Sequence, residues 1–223
     1  MHENLARLDF IKNKIKEIVD KKQLKTAPEI IAISKTFPLE KIIPLLDRGH
    51  IHFGENKIQE AELKWNGVAN KYKEIKLHMV GKLQSNKAKK AVEVFDYIHS
   101  LDNEKLAVKL QESEKKVNKK IKYFIQVNVA NEKQKSGILL SDLESFYSFC
   151  TKNLSLDIVG LMCFPPFNSN SEKYFEIIKI SASKLNLKHI SMGMSNDYEI
   201  ALFSGSTFLR LGSAIFGSRK LPN

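Results

Sequence analysis

Ile30-Ile31-Ala32-Ile33-Ser34-Lys35-Thr36-Phe37-Pro38 is the stretch on which the fold turns. Its run of apolar, mostly β-branched residues does not alternate with polar ones, so it reads as a strand buried on both faces, as in a parallel sheet covered by helices. An open, doubly wound sheet that holds a dinucleotide would follow its first strand with a glycine-rich turn. Here that turn is Ser34-Lys35-Thr36-Phe37-Pro38, and no G-x-G-x-x-G pattern occurs anywhere in the chain.

The same pattern recurs along the sequence. Apolar runs stand at 30–34, 50–53, 77–80, 97–101, 123–129, 158–164, 187–192 and 208–216. Between them, helical periodicity fills 39–46, 55–71, 85–95, 103–117, 141–150, 172–185 and 196–203. Crossovers of this length favour parallel pairing, and eight repeats predict closure into a (β/α)8 TIM barrel. An amphipathic helix at about 4–22 is an addition in front of the first strand. With 223 residues and no linker rich in Gly, Pro or Ser, one domain spanning 1–223 is expected.

Apolar residues make up 43% and charged residues 27% of the chain, which excludes a disordered or fibrous protein. No apolar run approaches the roughly 20 residues of a membrane helix. The start, Met1-His2-Glu3-Asn4, lacks the basic-then-apolar layout of a secretory signal, so a cytoplasmic protein with no membrane partner is expected. Cys150 and Cys163 are the only cysteines; no disulfide is expected, and Cys163, inside an apolar run, reads as a small buried hydrophobe.

The net charge of +11 raises the question of nucleic acid. The lysines are spread along the chain, however, and the densest patch (Lys115, Lys116, Lys119, Lys120, Lys122) sits beside Glu112 and Glu114 at a helix end. Only four arginines are present, with no zinc-finger spacing and no aromatic-rich basic strand, so nucleic acid is not expected as a partner.

In such a barrel the functional residues lie where the strands end. Lys35 would be carried by Ile30 to Ile33 into the barrel mouth. Partial desolvation there would disfavour its charged form and make a nucleophilic amine able to condense with an aldehyde; a lysine that simply snorkels to solvent is the alternative. In the C-terminal third, Ser191, Gly193, Ser195, Gly212 and Ser213 offer hydroxyls and approachable backbone, which suit a phosphate but also suit ordinary turns. Ser195-Asn196-Asp197 reads as a helix N-cap. Arg210 interrupts an apolar run and must find a partner if it points inward. His50 and His52 share one strand face without an evident third metal ligand, and His78 and His99 are expected to satisfy structural hydrogen bonds.

Taken in order, several segments make a more specific pattern: Ala32-Ile33-Ser34-Lys35-Thr36, Phe53-Gly54-Glu55-Asn56 with Gln59-Glu60, and His78-Met79-Val80-Gly81-Lys82-Leu83-Gln84-Ser85-Asn86-Lys87. His99-Ser100-Leu101-Asp102, Gln126-Val127-Asn128, Lys135-Ser136-Gly137 and Gly160-Leu161-Met162 follow. Ser191-Met192-Gly193-Met194-Ser195 with Asp197, and Arg210-Leu211-Gly212-Ser213-Ala214-Ile215-Phe216-Gly217, complete the set. From Ile31 to Arg219 the chain resembles the pyridoxal phosphate homeostasis protein family, also called the YggS/PROSC family, whose fold is that of the N-terminal barrel of alanine racemase.

The resemblance implies that Lys35 carries pyridoxal 5'-phosphate (PLP) as a Schiff base. It implies that Ser195, Gly212 and Ser213 hold the phosphate, that Arg210 faces the pyridine nitrogen, and that Asn56, Met194 and Ser136 line the pocket. Two departures are mild: Ser213 stands where the family often has threonine, and Leu77 where an aromatic is frequent. An arginine at the ring nitrogen donates and never accepts, which leaves that nitrogen unprotonated and the cofactor a weak electron sink. Racemases on this barrel tolerate such an arginine. The last strand, however, ends so near residue 223 that the β domain from which alanine racemases supply a second acid–base tyrosine is expected to be missing.

A protein that holds PLP in its intracellular homeostasis without turnover is therefore expected, with an amino-acid racemase or another weak PLP-dependent enzyme as the alternative. PLP-dependent apo-enzymes are its expected recipients and a monomer its expected state.

Overall fold

Eight strands pair in the order of the chain and close on themselves: β1 (Glu29–Ile33), β2 (His52–Glu55), β3 (Lys76–Met79), β4 (Tyr97–Leu101), β5 (Lys122–Val127), β6 (Asp157–Cys163), β7 (His189–Ser191) and β8 (Phe208–Leu211). Every pairing is parallel, and β8 returns to β1 with Ile31 opposite Arg210. The computed structural model describes residues 2–24, 26–68, 70–132, 134–166 and 170–218. Met1 and Arg219, on which the sequence reading touched, lie outside them.

The expected barrel is what forms. Helix α1 (Glu3–Lys21) precedes it, burying Leu8, Ile11 and Ile15 at helical spacing. Around the barrel run α2 (Ile43–Asp47), α3 (Ile58–Trp65), α4 (Ala88–Val94), α5 (Glu104–Val117), α6 (Leu143–Ser148), α7 (Ser171–Lys184), α8 (Tyr198–Phe203) and α9 (Ser213–Phe216). No helix among the described residues is long and apolar enough to cross a membrane.

Some boundaries differ from the sequence reading, each for a local reason. Glu55 belongs to β2, paired with Met79, rather than to the helix expected from 55 to 71, which runs only over Ile58–Trp65. The apolar run at 208–216 is two elements, because the strand stops before Gly212 and a single helical turn uses Ile215 and Phe216 to cover the core. His50 precedes β2, and its Nε2 lies 3.0 Å from the backbone carbonyl of His52.

The large apolar core lies between strands and helices, and a second, smaller cluster (Ile31, Ile33, Val80, Phe124, Met162, Phe208) lies inside the barrel. Branched aliphatic residues usually fill such an interior. Here much of the volume goes to flat rings: His78 stacks on Tyr97 at 4.4 Å, His99 stacks on Phe124 at 4.2 Å, and His52, His78 and His99 all contact Phe208. Polar groups in this core must satisfy one another, since the strand backbone is already paired.

Candidate functional site

The turn after β1 is held from below. Phe37 N–H donates to Ser34 C=O at 3.1 Å, and Thr36, the third residue of the turn, has a φ of 66°, a conformation that β-branched residues rarely adopt. Three groups from β2 and α3 compensate. Glu60 accepts from Thr36 N–H; Lys64 Nζ donates to Ser34 C=O at 2.7 Å; and Glu55 Oε1 accepts from Ser34 Oγ at 2.7 Å, Lys64 Nζ at 2.9 Å and Trp65 Nε1 at 3.1 Å. Burial pushes the Glu55 carboxyl up, against the pull of Lys64. Lys35 sits, half-buried, on this clamped turn. Beyond the short segment containing Gln59 and Glu60, nothing local in the sequence marked Lys64 and Trp65 as part of it.

Above the strand ends opens a cavity of about 810 Å3 whose wall includes Lys35, Asn56, Met194, Ser195, Arg210, Gly212 and Ser213. Seven of the eight site residues expected from the sequence thus share one space. Ser136 is not among the described residues of the wall; its carbonyl accepts from Gln126 Nε2 at 2.9 Å. Lys135, its neighbour, does reach the cavity, bound to Glu132 at 2.6 Å and to Pro165 C=O at 3.2 Å.

Arg210 closes the floor and is only 3% exposed. Its Nη1 donates to Ser191 Oγ at 2.7 Å, its Nη2 to Cys163 C=O at 2.8 Å, and its guanidinium lies over the Phe164 ring at 4.5 Å. Burial brings its pKa down to about 10, so it stays charged at neutral pH. Among the described residues no carboxylate forms a salt bridge with it, and its Nε is buried without a partner. A buried cation in the wall of a cavity, with no carboxylate paired to it among the described residues, favours an acceptor in whatever fills that cavity. Cys163 is buried as expected, and burial raises its thiol pKa to about 12.

The segment after β7 differs from the N-cap reading. Helix α8 starts at Tyr198 with Asp197 before it, yet no side chain caps its N-terminus. Asp197 instead folds back, accepting from Met194 N–H at 2.6 Å and from Ser171 Oγ at 3.1 Å. Ser195 reaches across to α9, where its Oγ accepts from Ala214 N–H at 3.1 Å. Gly193 lets this happen: its φ is 87°, and a Cβ there would fall 2.5 Å from Ala201 Cβ.

The family follows from comparison with known proteins. Residues 7–220 match the family model described as alanine racemase, N-terminal domain. A pyridoxal phosphate homeostasis protein of Synechocystis sp. (strain ATCC 27184 / PCC 6803 / Kazusa) is 37% identical over 199 residues, covering 85% of this chain and 91% of that protein. This chain belongs to the pyridoxal phosphate homeostasis protein family.

Among solved structures, PipY of Synechococcus elongatus PCC7942, with PLP bound, is 32% identical with a TM-score of 0.79, covering 91% of this chain and all 100% of that one. Alanine racemase of Clostridium difficile 630, 15% identical with a TM-score of 0.70, matches 96% of this chain but only 57% of its own and shows the shared fold alone.

The interior histidines of this chain make the structural hydrogen bonds expected of them, but in a connected line that no local sequence pattern reveals. His52 Nδ1 lies 2.9 Å from His78 Nε2, His78 Nδ1 lies 2.9 Å from His99 Nε2, and His99 Nδ1 lies 3.0 Å from Ser191 Oγ. Burial is the main reason that the pKa values of His78 and His99 fall well below the ordinary range. The rings are strung in a line rather than gathered, and no cluster able to hold a metal occurs among the described residues.

Proposed function

We propose that this chain binds PLP through Lys35 and serves in its intracellular homeostasis, holding the cofactor without turning over a substrate. Arg210 carries the reading: a buried guanidinium with no carboxylate in a salt bridge to it among the described residues, in the wall of the cavity that Lys35 also lines, fits a ligand offering both an electrophile and an acceptor. When bound, PLP supplies an aldehyde that condenses with an amine, and a ring that withdraws electrons.

Lys35 supplies the amine. Arg210 donates toward the ring nitrogen and, having no lone pair to offer, keeps a proton from being held there. Ser195, Gly212 and Ser213 receive the phosphate, where small side chains let backbone and hydroxyl donors approach. Asn56 and Met194 form the walls, and Ser136 supports the rim at a distance through Gln126.

The racemase reading needs a second acid–base group across the cofactor from Lys35. Among its described residues the cavity wall contains no histidine, cysteine or tyrosine. Its other titratable side chains are engaged: Lys135 with Glu132, and Asp197 with Met194 and Ser171. On this reading the protein works in the cytoplasm as a single-domain monomer and passes PLP to PLP-dependent apo-enzymes.

The test compares wild type with Lys35→Ala after addition of PLP, by visible absorbance and by borohydride trapping with peptide mapping. A visible band confined to the wild type, with the trapped adduct on Lys35, is expected. An adduct spread over surface lysines would overturn the assignment. Exchange of an amino acid's α-hydrogen with solvent deuterium at a useful rate would favour the racemase instead.

A further inference from the structure

The histidine line joins the two ends of the barrel. It begins at His52, the first residue of β2, where Nε2 lies 3.7 Å from the exposed carboxylate of Glu29, and it ends where Ser191 Oγ meets Arg210 Nη1 at 2.7 Å. The charges at the ends set its direction. Arg210 can only donate and the Glu29 carboxylate can only accept. With neutral rings the line can run in either direction, and the one that turns an N–H rather than a lone pair toward Glu29 is this: Arg210 donates to Ser191, Ser191 O–H to His99 Nδ1, His99 Nε2–H to His78 Nδ1, and His78 Nε2–H to His52 Nδ1. His52 Nε2–H is then left pointing to Glu29. Hydrogen bonds aligned in this way polarise and strengthen one another.

We propose that Ser191, His99, His78 and His52 are positioning residues that hold Arg210 toward the ligand, and that an added proton, its charge held on His52, reverses the line and loosens that hold. The proposal rests on the reading of Arg210 as the partner of the PLP ring.

The reversal follows from counting hydrogens. A proton from solvent leaves both nitrogens of His52 protonated, so Nδ1 must donate to His78 Nε2. His78 then carries its single hydrogen on Nδ1 and donates to His99, and His99 carries its own on Nδ1 and donates to Ser191. The line gains one proton, held on His52, while the other two rings change tautomer. Ser191 Oγ then accepts from both His99 and Arg210, and its own hydrogen turns elsewhere.

His52 is the group that holds the added charge, since its side chain is 10% exposed while His78 and His99 are fully enclosed; its Nε2 already carries hydrogen, so each hydrogen moves one place along the line toward His52 and the incoming proton replaces that of Ser191. Facing it are Glu29 from β1 and Asp96 from before β4, which favour the charge, and Lys76 from β3, which opposes it; burial outweighs them and lowers its pKa. The rings of Tyr97 and Phe208 pack against it. His50 bonds to the His52 carbonyl and stands outside the line.

Weakening one charge-assisted hydrogen bond by about 1 kcal/mol corresponds to roughly fivefold in affinity. By linkage, PLP should lower the His52 pKa by about 0.7 unit, the logarithm of that factor. The test is nitrogen-15 NMR of histidine-labelled protein, titrated with and without PLP, for wild type, Ser191→Ala and His78→Gln. In the free wild type, His78 and His99 should change tautomer together as His52 titrates, with His189, outside the line, as the control ring. PLP should shift the His52 midpoint in wild type, and either substitution should abolish that shift, which a merely structural role would not do. Fixed tautomers across the His52 titration, or a His52 midpoint indifferent to bound PLP, would overturn the proposal. Tautomers that reverse in a protein showing no visible band with PLP would overturn the cofactor reading, and with it the claim that the line serves PLP.

Discussion

Lys64 and Glu55 form an ion pair at 2.9 Å with side chains only 8% and 0% exposed, directly beneath the turn that carries Lys35. A buried pair is a poor source of net stability, but removing one member strands the other in a medium that cannot solvate it. Lys64→Met would leave Glu55 with only the neutral donors Ser34 and Trp65 and would release the Ser34 carbonyl. The expected cost is about 3 kcal/mol, read as a lower urea midpoint at unchanged slope. Adding Glu55→Gln should recover part of it, because no buried charge then remains. A midpoint within experimental error of wild type would show that the clamp contributes nothing.

Acid should unfold the protein through its interior histidines. Burial holds the His50 pKa down at about 3 in the folded chain, against an unfolded value near 6.5. A folded pKa below the unfolded one means that the unfolded chain binds more protons as pH falls. The stability is therefore complete above about pH 6.5 and is lost progressively as pH drops toward 3. At pH 5 this one residue accounts for roughly 2 kcal/mol, and His78 and His99, lowered by the same cause, act in the same direction. Denaturant midpoints should fall steadily between pH 7 and pH 5, and His50→Phe should flatten part of that slope. A pH-independent midpoint over this range would contradict the burial of these rings.

Gly81 sits where the chain leaving β3 touches the chain leaving β2. A Cβ on it would fall 2.4 Å from the backbone oxygen of Asn56 and 2.8 Å from its Cα, and backbone cannot swing aside as a side chain can. Gly81→Ala should therefore push Asn56 from the cavity wall and weaken PLP binding by roughly tenfold, for a displacement worth about 1.4 kcal/mol. An absorbance titration of the variant checks this, with Gly49→Ala, whose site has open space but a strained φ of 80°, as a control for backbone strain alone.

The barrel was legible because both faces of each strand are buried, so eight apolar runs stand out; the fourth, Tyr97–Leu101, matches to the residue. That same property hid the interior. When both faces are apolar, period-two alternation no longer separates inward from outward residues, and His52, His78 and His99 become neighbours only once the register is known. Sequence separations of 26, 21 and 92 residues along the line carry no local signal. Lys35 and Arg210 could be singled out because each breaks or ends an apolar run. Lys64 could not, since it looks like any lysine on the polar side of a helix. The triplet Ser195-Asn196-Asp197 does end at the N-cap position of α8, but Asp197 makes no capping bond there, and Ser195 bonds to α9, 19 residues away, a partner no local pattern reveals.

That bond gives a way to separate phosphate recognition from everything else the cavity does. Ser195 Oγ accepts from Ala214 N–H, so its own hydrogen is free to point to an acceptor in the cavity, and the bond ties the segment after β7 to the turn at Gly212 and Ser213. If this corner holds the phosphate, Ser195→Ala removes one donor to it and loosens the backbone beside it. A hydrogen bond to a charged group is worth about 1.5–3 kcal/mol, so PLP should bind roughly ten- to a hundredfold more weakly. Pyridoxal, which has the same aldehyde and ring but no phosphate, should bind wild type and variant alike, within about twofold. Paired absorbance titrations of the two compounds make the comparison. Equal losses for both would mean that Ser195 acts on the ring or on the fold, and the phosphate would have to be sought elsewhere along the cavity wall.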